Sequence, residues 1–331
     1  LVAASVPDAY EAMRHADLAL LLCPDLPIEA LHDLAISCNA RCQALVPGLE
    51  EGLAWQIPSR LPSSPKVPKL RYPLPRLACI DLPVAGFREK LFRAREPAVI
   101  EGHLACAGWG ACERWADLRM WASRHGHRAV PIEMGSREGD VGTAALTSST
   151  EAEGSIPLGD FVRKFLVPSN AASAESSCEP PASEAPDEWS AAPVIPELRA
   201  DISSVPLYCG LGQLQTVNVW MGTAGTVTAL HYDLDDNFLV QVAGFKYVRL
   251  YSTDEADRLY AMEAPRDSSK KHGASFSPVR IEKPDLEAHP NFADAPYLET
   301  ILGPGDMLFI PRHWWHYIRS LTTSVSVNFW F

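Results

Sequence analysis

His231 and Asp233 stand two positions apart in LHYDLDDNFLVQVAGFKYVRLY, the run from Leu230 to Tyr251. In an extended strand, residues i and i+2 project from one face, so an imidazole nitrogen and a carboxylate oxygen can converge on one point there. Two ligands make an incomplete metal site. FIPRHWWHYIRS offers a third in His313 or His316, beside the end of the strand-like GDMLFIP. Two histidines and one carboxylate cover one face of an octahedron around Fe(II) and leave three positions open for substrate and O2. Zinc accepts the same ligand types, but structural zinc usually completes its shell with cysteines, and none is near. Among ten histidines a His-x-Asp pair is by itself equally well read as a hydrogen-bonded turn.

Just downstream lies a cation on a face that can be enclosed only where something balances it. Taking Ala243-Gly244 as a two-residue hairpin loop sets Gln241 opposite Lys246, and counting back by twos adds Leu239 and Asn237 to that face. A lysine directed into a barrel requires an anion to offset its desolvation, and Asn237 can donate to the same anion. The competing pattern leaves this face in water and builds the core from Phe238, Val240, Val242, Phe245 and Tyr247.

The elements that must hold these groups are short strands. From Gln215 onward, TVNVWMG, TVTALHY, NFLVQV and FKYVRLY follow one another across short breaks, and GDMLFIP and SVSVNFWF come much later; short strands with tight turns argue for an antiparallel barrel or jelly roll. Upstream, EPAVIEGHL and RAVPIEMGS read as strands, and SIPLGDFVRKFL carries Leu158, Phe161, Val162, Phe165 and Leu166 on one helical face. Residues 1–56 form a helical N-terminal region, with apolar residues at helical spacing in 8–46 and a break at Pro24 and Pro27. Residues 57–76 are proline-dense and expected to be a linker. The remainder, 77–331, forms the main domain, interrupted at 168–193 by a Ser/Ala/Pro/Glu-rich insert of disordered composition.

Composition narrows the function classes. With 41 acidic against 29 basic residues, the formal charge of −12 disfavours direct nucleic-acid binding and suits a basic protein or peptide partner. No apolar run reaches the roughly 18–20 residues of a membrane span. The eight cysteines are scattered, without Cys-x-x-Cys pairs, as idle thiols of a reducing compartment would be.

GTVTALHYDLDDNFLVQVAGFKYVRLY, GDMLFIPRHWWHYIRSL and SVSVNFWF together resemble the JmjC-domain, 2-oxoglutarate-dependent oxygenases, nearest the group called JmjC domain-containing protein five or lysine-specific demethylase eight. The resemblance covers roughly 77–331 and is strongest from Val217. It implies a mainly β fold with flanking helices, a cupin-like double-stranded β-helix behind a small helical region. It also implies Fe(II) held by His231, Asp233 and His316, which leaves His313 as packing or exposed. Lys246 would pair with the distal carboxylate of 2-oxoglutarate, helped by Asn237 and Thr228, and Trp220 would line the substrate pocket. One departure lies in MGSREGD: where relatives carry a tyrosine that contacts the cosubstrate, this chain places Glu138, whose charge would repel it. A second is the 168–193 run itself, which stands where relatives carry an ordered segment.

The resemblance further implies a protein oxygenase that consumes O2 and 2-oxoglutarate and releases succinate and CO2. The first expectation is hydroxylation of an arginine side chain. The second is demethylation of a methyl-lysine, a histone being one such substrate, and a third is a JmjC scaffold with little activity. Asp235, Asp236 and Glu133 are candidate acceptors for the cationic side chain. The expected location is intracellular, in the nucleus with the cytoplasm open, on chromatin if the substrate is a histone.

Overall fold

A computed structural model describes residues 11–13, 15–17, 28–45, 65, 67–103, 108–131, 133–135, 155–166, 182–184, 195–262 and 275–331. Glu138, most of 168–193 and most of the first half of the proline-dense segment lie outside these.

Strands β1 (Arg76–Ala78) and β2 (Ala98–Glu101) precede two small antiparallel pairs. In these, β3 (Ala129–Pro131) meets β5 (Ser155–Pro157), and β4 (Glu133–Gly135) meets β6 (Ala182–Glu184). The main strands follow: β7 (Thr216–Gly222), β8 (Val227–Tyr232), β9 (Asn237–Ala243), β10 (Lys246–Tyr251), β11 (Ser275–Phe276), β12 (Leu298–Leu302), β13 (Met307–Ile310), β14 (Trp315–Ser320) and β15 (Ser324–Trp330). They form a six-stranded sheet, in the order β1-β2-β13-β9-β15-β7, and a five-stranded sheet, in the order β11-β8-β14-β10-β12. Apart from β10, β11 and β12, which share the smaller sheet, successive main strands pass back and forth between the sheets, which is the winding of a jelly roll.

The six-stranded sheet is covered on both faces at its centre, and this explains why β9 and β15 are buried at every position. Phe238, Val240 and Val242 of β9, with Val325, Val327 and Phe329 of β15, pack outward against Phe87, Trp109, Trp115, Trp121 and Phe161. Leu239, Val248, Leu250, Leu302 and Leu308 meet between the sheets. Tyr247, Tyr251, Trp315 and Tyr317 cover the outer face of the smaller sheet. Parity along each strand therefore sorts residues into an outer apolar set and an inner set that includes the polar groups.

Two expectations differ from what is observed. The segment Ala243–Lys246 is not a hairpin, because β9 and β10 belong to different sheets and the chain turns a corner there. Gln241 caps that corner, its Nε2 donating to the carbonyls of Ala243 (2.8 Å) and Gly244 (3.2 Å). Gly244 has φ of 72°, and a Cβ on it would lie 2.1 Å from the Thr323 carbonyl oxygen. Gly244→Ala is expected to lower stability by about 1–3 kcal/mol, read as a lower urea midpoint at an unchanged m-value.

The proline-dense segment also differs. Its described C-terminal half is part of the domain: the Leu74 N–H donates to the Glu299 carbonyl (2.9 Å), and the Glu299 N–H donates to the Tyr72 carbonyl (2.8 Å). Pro73 sits between these two bonded groups on the edge of β12, a place where a missing N–H does no harm. Leu74 is buried in the core between the sheets.

The N-terminal helix Ile28–Leu45 and the short helical pieces before it also lie against the domain. Asp17 accepts from Arg128 Nε (2.9 Å) and the Ala129 N–H (2.8 Å), and Arg128 Nη1 donates to Glu197 (2.7 Å). Burial nevertheless pushes the Asp17 carboxyl up to about 6, against the opposing pull of Arg128.

Candidate active site

His231 is the fifth residue of β8, and Asp233 follows one position beyond the end of that strand. His316, on β14, is the residue directly opposite His231 in the antiparallel pairing. Facing side chains on adjacent strands lie on one face and within reach of each other, and here the imidazole centroids are 4.1 Å apart. The His231 Nε2 is 3.7 Å from Asp233 Oδ1, and His316 Nε2 is 3.6 Å from Asp233 Oδ2. These three residues are the one group of metal-binding side chains among the described residues, with ligand atoms within 4.8 Å of one another.

The orientation of both rings is fixed by their other nitrogen. His231 Nδ1 contacts the Ala229 carbonyl (2.8 Å), and His316 Nδ1 contacts the Trp314 carbonyl (3.0 Å). A carbonyl oxygen has no proton to give, so each Nδ1 carries hydrogen and each Nε2 presents its lone pair to the shared point. Burial, with His231 alongside, holds the His316 imidazole well below its usual value, at about 4, so that ring is neutral at pH 7. Two ligands of one ion with bonds of about 2.1 Å lie no more than about 4.2 Å apart. The two histidine–carboxylate separations, 3.7 and 3.6 Å, and the donor set thus fit a divalent cation bound by two imidazoles and a carboxylate.

Thr228 comes three residues before His231, so in a regular strand it would point the other way. Three steps along β8, from Thr228 to His231, are matched by two along β14, from Ile318 to His316, and the register shifts between them. This bulge absorbs the extra residue and returns Thr228, opposite the inward-packed Ile318, to the inner face.

Lys246 begins β10 and is buried. Its Nζ donates to Ser326 Oγ at 2.6 Å, and among the described residues no carboxylate pairs with it. Burial alone lowers its ammonium to about 8. Trp220 lies opposite Ser326 on β7, half-buried, with its Nε1 donating to Asn328 Oδ1 (3.0 Å). It therefore belongs to the inner polar face and to none of the hydrophobic clusters. Asn237 sits at the metal end, its Nδ2 3.4 Å from Asp233 Oδ2, while its Oδ1 is buried without a partner. Gln241, which shares the Ser326 rung, lies four residues further along β9, about 13 Å away at the usual strand rise. Asn237 is thus placed beside the carboxylate ligand, away from the rung that Lys246 reaches.

The remaining candidates are placed differently. His313 is exposed, has φ of 68°, and sets its ring edge-on to Tyr232 at 5.4 Å. Asp236 is no acceptor for an incoming cation, because its side chain is 6% exposed and paired with Arg95 at 2.7 Å. Asp235 is partly exposed in the same loop. Glu133 lies in β4, and its side chain is outside the described part. Ser326 and Asn328 were missed as site residues. Their signal is present in SVSVNFWF, where Ser324, Ser326 and Asn328 alternate with Val325, Val327 and Phe329 on a strand buried throughout.

Residues 84–331 match the family described as cupin-like domain. Lysine-specific demethylase 8 of Xenopus tropicalis is 34% identical over 93% of this chain and 66% of its own length. Lysine-specific demethylase JMJ30 of Arabidopsis thaliana is 31% identical over 97% of this chain and 74% of its own. Jumonji C domain-containing protein 5 of Drosophila melanogaster is 31% identical over 76% and 58%. The chain belongs to the cupin-like JmjC oxygenase family. It spans about two thirds or less of the length of the frog and fly relatives. No helix among the described residues is long and apolar enough to cross a membrane.

For a JmjC chain, the group to be tested against the interior is 2-oxoglutarate, a dianion. A buried ammonium without a counter-charge, backed by a serine hydroxyl and facing the same interior as the triad, fits one of its carboxylates. The pH dependence follows. The free-enzyme kcat/KM for 2-oxoglutarate is expected to fall as pH rises through about 8, where Lys246 loses its proton. Folding stability changes the other way. Between about 8 and 10.5 the unfolded chain keeps a proton that the folded chain has released, so stability of the ligand-free protein rises with pH across that window. Initial rates and urea midpoints measured on one pH series read both slopes.

Proposed function

We propose that this chain is an Fe(II)- and 2-oxoglutarate-dependent protein oxygenase that hydroxylates an arginine side chain. The observation that carries the oxygenase part of this reading is the pairing of a two-histidine, one-carboxylate triad with a buried lysine that meets no carboxylate among the described residues, on the inner face of the same jelly roll. His231, Asp233 and His316 would hold the iron. When bound, iron and 2-oxoglutarate supply O2 activation and oxidation of a C–H bond, with succinate and CO2 as the other products. The protein contributes the rest. Nδ1–H donation to the carbonyls of Ala229 and Trp314 keeps both imidazoles aimed at the ion. Asn237 steadies the Asp233 carboxylate from one side. Lys246 and Ser326, with Thr228 two strands along from Lys246 in the same sheet, hold the cosubstrate's far carboxylate, and Trp220 borders the space left for the substrate.

The chain's acidity favours a basic protein or peptide substrate, and the demethylase names of the frog and plant relatives favour the nucleus. A second reading, N-demethylation of a methyl-lysine such as one in a histone, is favoured by the names of the frog and plant relatives. The two differ in the carbon attacked and leave different products. The test incubates the full chain with Fe(II), 2-oxoglutarate and arginine- or methyl-lysine-containing peptides, and follows succinate and peptide mass. A gain of one oxygen on arginine supports the first reading. Loss of a methyl group from lysine supports the second. Absence of turnover together with absence of metal uptake leaves a binding module.

A further inference from the structure

The ligands of the triad sit on separate segments. Asp233 lies in the loop between β8 and β9, and His316 follows the turn between β13 and β14. In that turn the Trp314 N–H donates to the Pro311 carbonyl (3.1 Å), and His313 has φ of 68°. Arg312 is not among the described residues with positive φ, so residues 311–314 form a type II turn. Both central N–H groups of the turn donate to the Asp233 loop. The His313 N–H reaches the Asp233 carbonyl (2.9 Å), and the Arg312 N–H reaches Asp236 Oδ1 (3.0 Å).

Asp236 is the centre of this contact. The same Oδ1 accepts from Arg95 Nη1 (2.7 Å), and the Asp236 carbonyl accepts from the Phe331 N–H (2.9 Å). Arg95, itself at φ of 59°, accepts Trp314 Nε1 on its carbonyl (2.9 Å). One buried carboxylate thereby joins the loop three residues after Asp233 to the turn four residues before His316. Little chain separates either contact from a ligand, so a shift in one is passed to the ligand with little loss.

We propose that Asp236 is a positioning residue of the metal site, clamping the 311–314 turn to the Asp233 loop and so setting how far His316 stands from Asp233. This rests on reading the triad as a metal site. The feature has no counterpart in the ligand set itself: removing the clamp leaves all three donors in the chain and changes only their convergence.

The turn geometry supplies a selective test. Proline suits the second position of a type II turn, so Arg312→Pro deletes the N–H donor and keeps the turn, while Arg312→Ala keeps the N–H and removes only an exposed side chain. Co(II) is titrated into the full chain and followed by its visible absorption, with Tm measured on the metal-free samples. Arg312→Pro and Asp236→Ala are expected to weaken Co(II) binding by about tenfold or more, the usual effect of losing a group that orients a ligand. Asp236→Asn, which keeps an oxygen acceptor for the Arg312 N–H, and Arg312→Ala are expected to stay within about threefold of the unsubstituted chain. The Tm of Arg312→Pro should fall by no more than a few degrees, because the entropy that proline removes from the unfolded chain offsets part of the lost hydrogen bond. Unchanged Co(II) affinity in Arg312→Pro overturns the clamp, as does an Asp236→Asn loss equal to that of Asp236→Ala. An unsubstituted chain that binds no Co(II), or a His316→Ala chain that binds it equally well, overturns the metal site instead.

Discussion

His316→Ala is expected to reduce conversion of 2-oxoglutarate to succinate by more than about a hundredfold. Groups that merely orient metal ligands are each worth about 10–100-fold in affinity or activity, and this substitution removes a ligand. The remaining pair, His231 and Asp233, can hold an ion only weakly, and the open side of the site would fill with water. The metal-free variant should keep the far-ultraviolet circular dichroism of the unsubstituted chain, which separates loss of iron from loss of fold. The neighbouring histidine is the control. His313 is exposed and in a left-handed conformation that asparagine tolerates, so His313→Asn is expected to retain metal. Equal loss in both variants would show that the WWH segment matters for folding and not for coordination.

Lys246→Met is expected to move stability and activity in opposite directions. Among the described residues the ammonium is buried with one neutral partner, Ser326, and burial lowers it to about 8. Replacing a buried uncompensated charge by an apolar chain of similar length removes a desolvation penalty, so the ligand-free variant gains about 1–3 kcal/mol and its Tm rises by a few degrees. The same change removes a charge-assisted bond to the cosubstrate, worth about 1.5–3 kcal/mol, and KM for 2-oxoglutarate rises about 10- to 150-fold. Thermal melts without ligand and initial-rate kinetics read the two effects on one sample. A variant that is both less stable and kinetically normal would mean that Lys246 serves packing and contacts no anion.

Much of the site was legible in the chain because strand parity survives errors in topology. Gln241, Leu239 and Asn237 do share the inward side with Lys246, although the hairpin invoked to place them is absent. Alternation records which side of a strand is apolar, whatever its neighbour. It does not record which strand the neighbour is, because the corner at Gly244 depends on packing between sheets. Thr228 shows the complementary limit. Its odd spacing from His231 contradicts a shared face until the bulge opposite Ile318 is seen, and nothing in TALHY announces an extra residue.

Asp236 was the least legible of all. DLDD has the composition of a solvated turn, and the buried role of its last residue depends on Arg95, 141 positions earlier in the chain. The proline-dense segment misled for a related reason. Prolines exclude a helix or a central strand, yet an edge position accepts one whose neighbours make the bonds, as Pro73 does beside Glu299.

On the proposed reading, His231, Asp233 and His316 converge on a single ferrous ion. Iron content, measured after anaerobic reconstitution of the full chain and removal of unbound metal, tests it most directly. The prediction is one Fe(II) per chain, lost when any one of the three residues is replaced by alanine. Iron retained undiminished in those variants, or absent from the unsubstituted chain, would contradict it.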